Sequence, residues 1–251
     1  MTEDDNNAGA ETFISHLVEL RNRVMKALIA VIVVFLALMP FAGRIYDLLA
    51  SPMMLALPAG SKMIATGVIT PFLIPVKVTL LVAFLIALPI VLYQAWAFIA
   101  PGLYEHEKKL VAPLVISSSL LFLVGVAFCY FFVFGTVFKF VNEFAPQSVA
   151  VAPDIESYFS FVMTMFIAFG LTFEVPIVVI VLVRMGVVTV ERLREFRPYV
   201  IVGAFIVAAV VTPPDVMSQL LLAIPLCLLF ELGLLLAPLF ARATRAPEET
   251  A

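Results

Sequence analysis

Residues 78–97, VTLLVAFLIALPIVLYQAWA, run into FIAPGLYEHEKK at 98–109, and that into LVAPLVISSSLLFLVGVAFCYFFVF at 110–134. Neither flank holds a charge, and each is long enough to cross about 30 Å of hydrocarbon as a helix. The stretch between them carries Glu105, Glu107, Lys108 and Lys109. Pro101 and Gly102 punctuate it, which favours a turn over a continuing helix. The unit reads as two membrane spans joined by a polar loop. The whole chain has the same character: 63% hydrophobic, 13% charged, mean hydropathy +1.13. Such values lie outside the range of soluble domains. An all-α polytopic membrane protein is expected.

Upstream, the chain opens on an acidic, polar stretch, 1–11, with none of the basic start and short apolar core of a cleavable signal. The first apolar run is therefore expected to stay as an anchor. In FISHLVELRNRV, 13–24, Phe13, Leu17, Leu20 and Val24 recur at helical spacing, which predicts a short amphipathic helix at the membrane surface leading into span one, about 27–43. Glu19 and Arg23 stand four apart, the spacing of an ordinary helical ion pair. Glu19 could instead be an exposed acid beside the bilayer, and spacing alone favours the pair. Residues 44–77 are mixed and rich in proline. A short interfacial helix is expected over 45–57, with Pro52 as a kink or part of its first turn.

Downstream of the opening unit, Pro113 falls in the first turn expected of span three. Asp154 precedes an apolar run with Ser157 three residues on, the pattern of a helix N-cap. Span four, about 157–183, holds Glu174, an ionisable residue deep in a span, and Pro176, which removes a backbone bond near Thr172. A basic segment with a second small helix follows at 184–198. The last two spans read as short. Only fourteen residues, 199–212, precede Pro213, and only fourteen, 217–230, precede Glu231. At 1.5 Å per residue each is about 21 Å. A tight turn, TPPD at 212–215, joins them.

Six spans put both termini on one side, and positive charge selects that side. With the termini inside, eleven Lys and Arg residues face the cytoplasm and four, Arg44, Lys62, Lys77 and Lys139, face out. The expected organisation is a disordered cytoplasmic amino terminus at 1–12, a membrane domain at 13–238 and a cytoplasmic tail at 239–251. Cys129 and Cys227 lie in separate apolar runs and read as small buried hydrophobes. No catalytic set, phosphate loop or metal spacing can be read, so neither an enzyme nor a cofactor, metal or nucleic-acid partner is expected. Glu174 is a functional candidate because an intramembrane carboxylate is costly to bury; the bland alternative is a protonated, hydrogen-bonded side chain. Glu19 and Glu107 would together suit a guanidinium.

HLVELRNR (16–23), MIAT (63–66), YQAWAFIAPGLYEHEKK (93–109), FGLTFEVP (169–176) and TPPDVMSQ (212–219) resemble the TatC subunits of twin-arginine translocases. The likeness extends from about residue 13 to 238. It implies six transmembrane helices in a concave bundle in the bacterial inner membrane. It also implies recognition of twin-arginine signal peptides of folded proteins, and assembly with TatA- and TatB-type single-span subunits and with further copies of the chain. Export would be driven by the proton-motive force. By the same resemblance Glu19, Glu107, Phe98 and Arg21 bind the signal. Pro52, Asp154 and Glu174 fall at positions associated with activity, and Thr212, Asp215 and Gln219 dock partner helices. The competing classes are a secondary transporter with Glu174 as its coupling carboxylate and an intramembrane enzyme. Copurification with a twin-arginine precursor, lost when its Arg-Arg becomes Lys-Lys, discriminates against both.

Overall fold

A computed structural model describes residues 3–57, 62–99, 108–144, 152–212 and 215–241. Helices are α1 (Glu3–Leu38), α2 (Ala42–Ala56), α3 (Thr70–Ile99), α4 (Lys108–Phe128), α5 (Phe134–Phe144), α6 (Ile155–Arg184), α7 (Val190–Glu195), α8 (Arg197–Val211) and α9 (Val216–Ala241). Among the described residues there is no strand, only an isolated bridge between Ile64 and Asp154. Five stretches are long and apolar enough to cross a membrane: Ser15–Ala56, Thr70–Ile99, Val111–Val141, Ile155–Arg184 and Val216–Leu239. Helix α8 is apolar but has only 15 residues.

Four sequence expectations change. The surface helix and the first span are one uninterrupted helix that already includes Glu3, so residues 3–12 are helical where disorder was expected, because an established helix gains a hydrogen bond with each residue added to it. Pro52 lies well inside α2, not in its first turn. Pro113 likewise lies inside α4. The last span is not short: α9 has 26 residues and passes straight through Glu231. The reason is a partner. Glu231 Oε2 accepts from Arg197 Nη2 at 2.7 Å, so the carboxylate that looked like a helix end is neutralised from the start of α8.

The chain divides into two compact units, Met1–Phe41 with Thr79–Ser119, and Ala42–Val78 with Leu120–Ala251. In the first, the end of α3 is fixed to α4 by Trp96, whose buried Nε1 donates to Ser118 Oγ at 3.0 Å. Trp96 is 6% exposed, while Tyr93 is 43% exposed.

In the second unit, α4 and α6 interlock through glycines. The Phe122 ring lies where a Cβ on Gly170 would sit, and the Phe173 ring occupies the same place at Gly125. Small residues allow this close approach between membrane helices. Helix α9 crosses α6 in the same way. A Cβ on Gly233 would lie 3.0 Å from Pro176 Cα and 3.0 Å from Val179 Cβ. Val179, Phe230, Leu234 and Ala237 form the buried cluster at that crossing. Helix α6 runs through Pro176 to Arg184 and stops at Gly186, whose φ of 71° is open to glycine. After α4, one π-helical turn, Cys129–Val133, precedes α5.

Candidate functional site

Within the first unit, α1 and the end of α3 meet at a ring stack. His16 and Phe98 have centroids 4.4 Å apart and planes 21° from parallel. Glu19 follows His16 by three residues and so lies on the same face of α1. Arg23 donates to Glu19 Oε1 through Nε at 2.8 Å and Nη2 at 2.5 Å, which is the expected ion pair. Both groups keep solvent access, with side-chain exposures of 43% for Glu19 and 25% for Arg23. Arg21 is exposed and donates to Asn22 Oδ1 at 3.3 Å. Glu105 and Glu107 lie outside the described residues. Helix α1 thus presents a carboxylate and an aromatic pair together, held at the α3 end by the Trp96–Ser118 bond. His16 was legible only as one of two histidines; no spacing rule pairs it with Phe98.

The remaining candidates belong to the second unit. Asp154 is the N-cap of α6, as its sequence pattern predicts: Oδ2 accepts from the backbone N–H groups of Glu156 and Ser157, both at 3.1 Å. Its other oxygen does work that the pattern did not reveal. Oδ1 accepts from the Thr66 N–H at 3.2 Å and the Thr66 hydroxyl at 2.9 Å. The backbone adds Ile64 N to Pro153 O at 3.0 Å and Ile155 N to Ile64 O at 2.9 Å. Lys77 and Glu156 add a 3.7 Å ion pair beside them. The Ser157 N–H, followed by the Thr66 hydroxyl, holds the Asp154 carboxyl below its ordinary range.

That lowered pKa fixes a pH dependence. The carboxylate stabilises the fold above its ordinary unfolded pKa of 3.8, and the contribution disappears as pH falls through the lower folded value. Asp154→Asn is expected to lower the thermal midpoint in detergent at neutral pH. The gap to wild type should stay constant down to about pH 5 and close below the ordinary carboxyl pKa. A gap that widens on acidification would contradict the assignment.

Glu174 is buried at 6% exposure in α6, beside the point where Pro176 meets Gly233. Thr212 is buried at the end of α8, its hydroxyl donating to Ala208 O at 2.8 Å. Asp215 caps α9, accepting from Ser218 N at 2.6 Å. Gln219 Nε2 reaches back to Phe205 O at 3.4 Å. The three residues expected at a partner interface therefore also build the α8–α9 turn. Pro52 lies in α2 beside carbonyls that take hydrogen bonds from side chains. Among the described residues no group of three metal-ligating side chains occurs.

Residues 15–225 match the model of the Sec-independent protein translocase protein TatC family. The chain belongs to the TatC family. It is 52% identical over 239 residues to the TatC of Escherichia coli K12, covering 95% of this chain and 93% of that protein. To the TatC of Halothiobacillus neapolitanus it is 53% identical over 238 residues, 95% of this chain and 65% of that longer protein. A crystal structure of the twin-arginine translocase receptor TatC superposes with TM-score 0.79 at 40% identity, covering 90% of this chain and all of that one. As a TatC-family chain it is a translocase component of the inner membrane, a multi-pass transport subunit and not a catalytic enzyme. The motifs HLVELRNR, MIAT and FGLTFEVP fall within the matched residues.

Proposed function

We propose that the chain is the receptor that binds twin-arginine signal peptides of folded precursors at the Glu19–Phe98 face. It then assembles with TatA- and TatB-type single-span subunits, and with further copies of itself, for export driven by the proton-motive force. The observation that carries this reading is the His16–Phe98 stack one helical turn from Glu19. A guanidinium is recognised by a planar, charge-assisted bond to a carboxylate and by stacking on an aromatic face, and both elements are present together here. Arg23 already supplies one guanidinium to Glu19. An exposed pair at this spacing is worth only about 0.3–0.5 kcal/mol, so a signal arginine displaces it at little cost. Glu107 supplies the second carboxylate, and Arg21 borders the surface. The excess of Lys and Arg in the segments assigned to the inner side supports a cytoplasmic location for this face and both termini.

Pro52, Asp154 and Glu174 support transport from the second unit. Thr212, Asp215 and Gln219 form the partner-helix docking site. The 3.4 Å bond from Gln219 to Phe205 is long enough to yield to a better acceptor on an incoming helix.

Site-specific crosslinking to a twin-arginine signal peptide tests the recognition step. Glu19→Ala and Glu107→Ala are each expected to lower the crosslinked yield about tenfold, the scale of losing one charge-assisted hydrogen bond, with membrane insertion intact. Phe98→Ala should do the same and Phe98→Tyr should not. Undiminished crosslinking in both carboxylate variants would remove the basis of the proposal.

A further inference from the structure

Proline has no N–H, so Pro52 leaves the Leu48 carbonyl of α2 without its helical donor. In an apolar environment every such group must find another partner. Two hydroxyls serve this one. Tyr130 OH donates to Leu48 O at 2.8 Å, Ser51 Oγ lies 2.8 Å from the same oxygen, and the two hydroxyls are 2.9 Å apart. One residue along, Tyr158 OH donates to Leu49 O at 2.8 Å. That phenol gives the α2 backbone a second hydrogen bond from outside the helix.

The two tyrosines come from different elements. Tyr158 is in the first turn of α6 and 4% exposed. Tyr130 is in the π-helical turn, where the Phe134 N–H bonds back to Cys129 O. One extra residue in that turn shifts the facing of the side chains that follow, the use to which π-turns at functional sites are put.

We infer that Tyr130 and Tyr158, with Ser51, are positioning residues for transport. Tyr130 and Ser51 replace the backbone bond that Pro52 forgoes, Tyr158 bonds the next carbonyl, and together they fix α2 to the α4–α5 junction and to the start of α6. The function of Pro52 is to make the Leu48 carbonyl available. An alanine there would let α2 close its own ladder at Leu48 and release Tyr130. The inference rests on the translocase reading for its assay, but its epistasis is its own.

The test is a mutant cycle read by transport of a twin-arginine precursor into inverted membrane vesicles. Tyr130→Phe keeps the ring and removes the hydroxyl. It is expected to slow transport about fivefold in the wild-type background and to change it less than about twofold in Pro52→Ala, because coupled residues are non-additive. Equal fold-losses in both backgrounds would overturn the inference. Signal-peptide crosslinking, run in parallel, should stay at wild-type yield in Tyr130→Phe; its loss in Glu19→Ala would separately report on the recognition reading. Hydrogen exchange over 48–57 does not depend on Pro52→Ala accumulating. Tyr158→Phe should speed exchange over 48–57 about threefold, since it removes a bond that ties the α2 backbone to α6. Unchanged protection over 48–57 would also overturn the inference.

Discussion

Gly170→Val is expected to abolish accumulation of the folded protein in the membrane. The Phe122 ring fills the place of a Gly170 side chain, so even a single Cβ there meets ring carbons. Phe122 is itself buried, at 2% exposure. Overpacking of this kind costs about 1–3 kcal/mol for added methylenes and more when a rigid ring must move. A second contact aggravates it. Gly125 receives the Phe173 ring one turn along the same crossing, so α4 cannot slide to relieve the clash. With net stabilities of about 5–15 kcal/mol, such a loss is decisive. Gly170→Ala should be intermediate. The second-site change Phe122→Ala should restore accumulation of Gly170→Val, because it empties the space the new side chain needs. Immunoblotting of membranes and size-exclusion chromatography in detergent read the result. Wild-type amounts of monodisperse Gly170→Val protein would refute the interlock.

Lengthening α8 by one turn is expected to cut transport about tenfold while leaving signal-peptide crosslinking unchanged, the pattern of a late-step defect. Helix α8 has 15 residues, about 22 Å, against a hydrocarbon thickness of about 30 Å. The Arg197–Glu231 pair sets the register of its neighbour. Glu231 is level with the first residue of α8, so only the portion of α9 from Val216 to Glu231 runs beside it. The shortness expected of the last two spans therefore survives in one helix and in the paired part of the other. A mismatch of about 8 Å thins the adjoining bilayer or admits water to it. Four inserted residues remove most of that mismatch and shift Arg197 about 6 Å from its partner. Glu231→Ala separates the two effects, since it breaks the pair without lengthening anything and should leave transport within about twofold. Normal transport by the lengthened chain would exclude a role for the mismatch.

What could be read in the sequence was local. Hydropathy located the apolar runs, the Asp154–Ser157 spacing revealed a cap, and Glu19 with Arg23 predicted its own ion pair. Each depends on residues within one or two turns of each other. The features that escaped depend on distant partners. Glu231 looked like a helix end because Arg197 is 34 residues away in the chain. Asp154 showed one oxygen's role and not the other's, since Thr66 lies 88 residues before it. Pro52 read as a kink or part of a first turn because nothing near it names Tyr130 as a substitute donor. His16 gained its meaning only from the ring of Phe98. Of the proposed recognition surface, the α1 face and the end of α3 were legible as motifs, but their meeting needed the fold.

The lone bridge between Ile64 and Asp154 also has a consequence for biogenesis. Its two sides are made far apart in time. Synthesis at about 5–20 residues per second separates Thr66 from Asp154 by roughly 4–18 s. Throughout that interval the Ile64 amide and carbonyl have no native partner, and the nascent chain presents a short extended edge. Any extended segment nearby can claim it first. Assembly of the second unit is thus ordered by translation, with the arrival of Asp154 as the step that closes it.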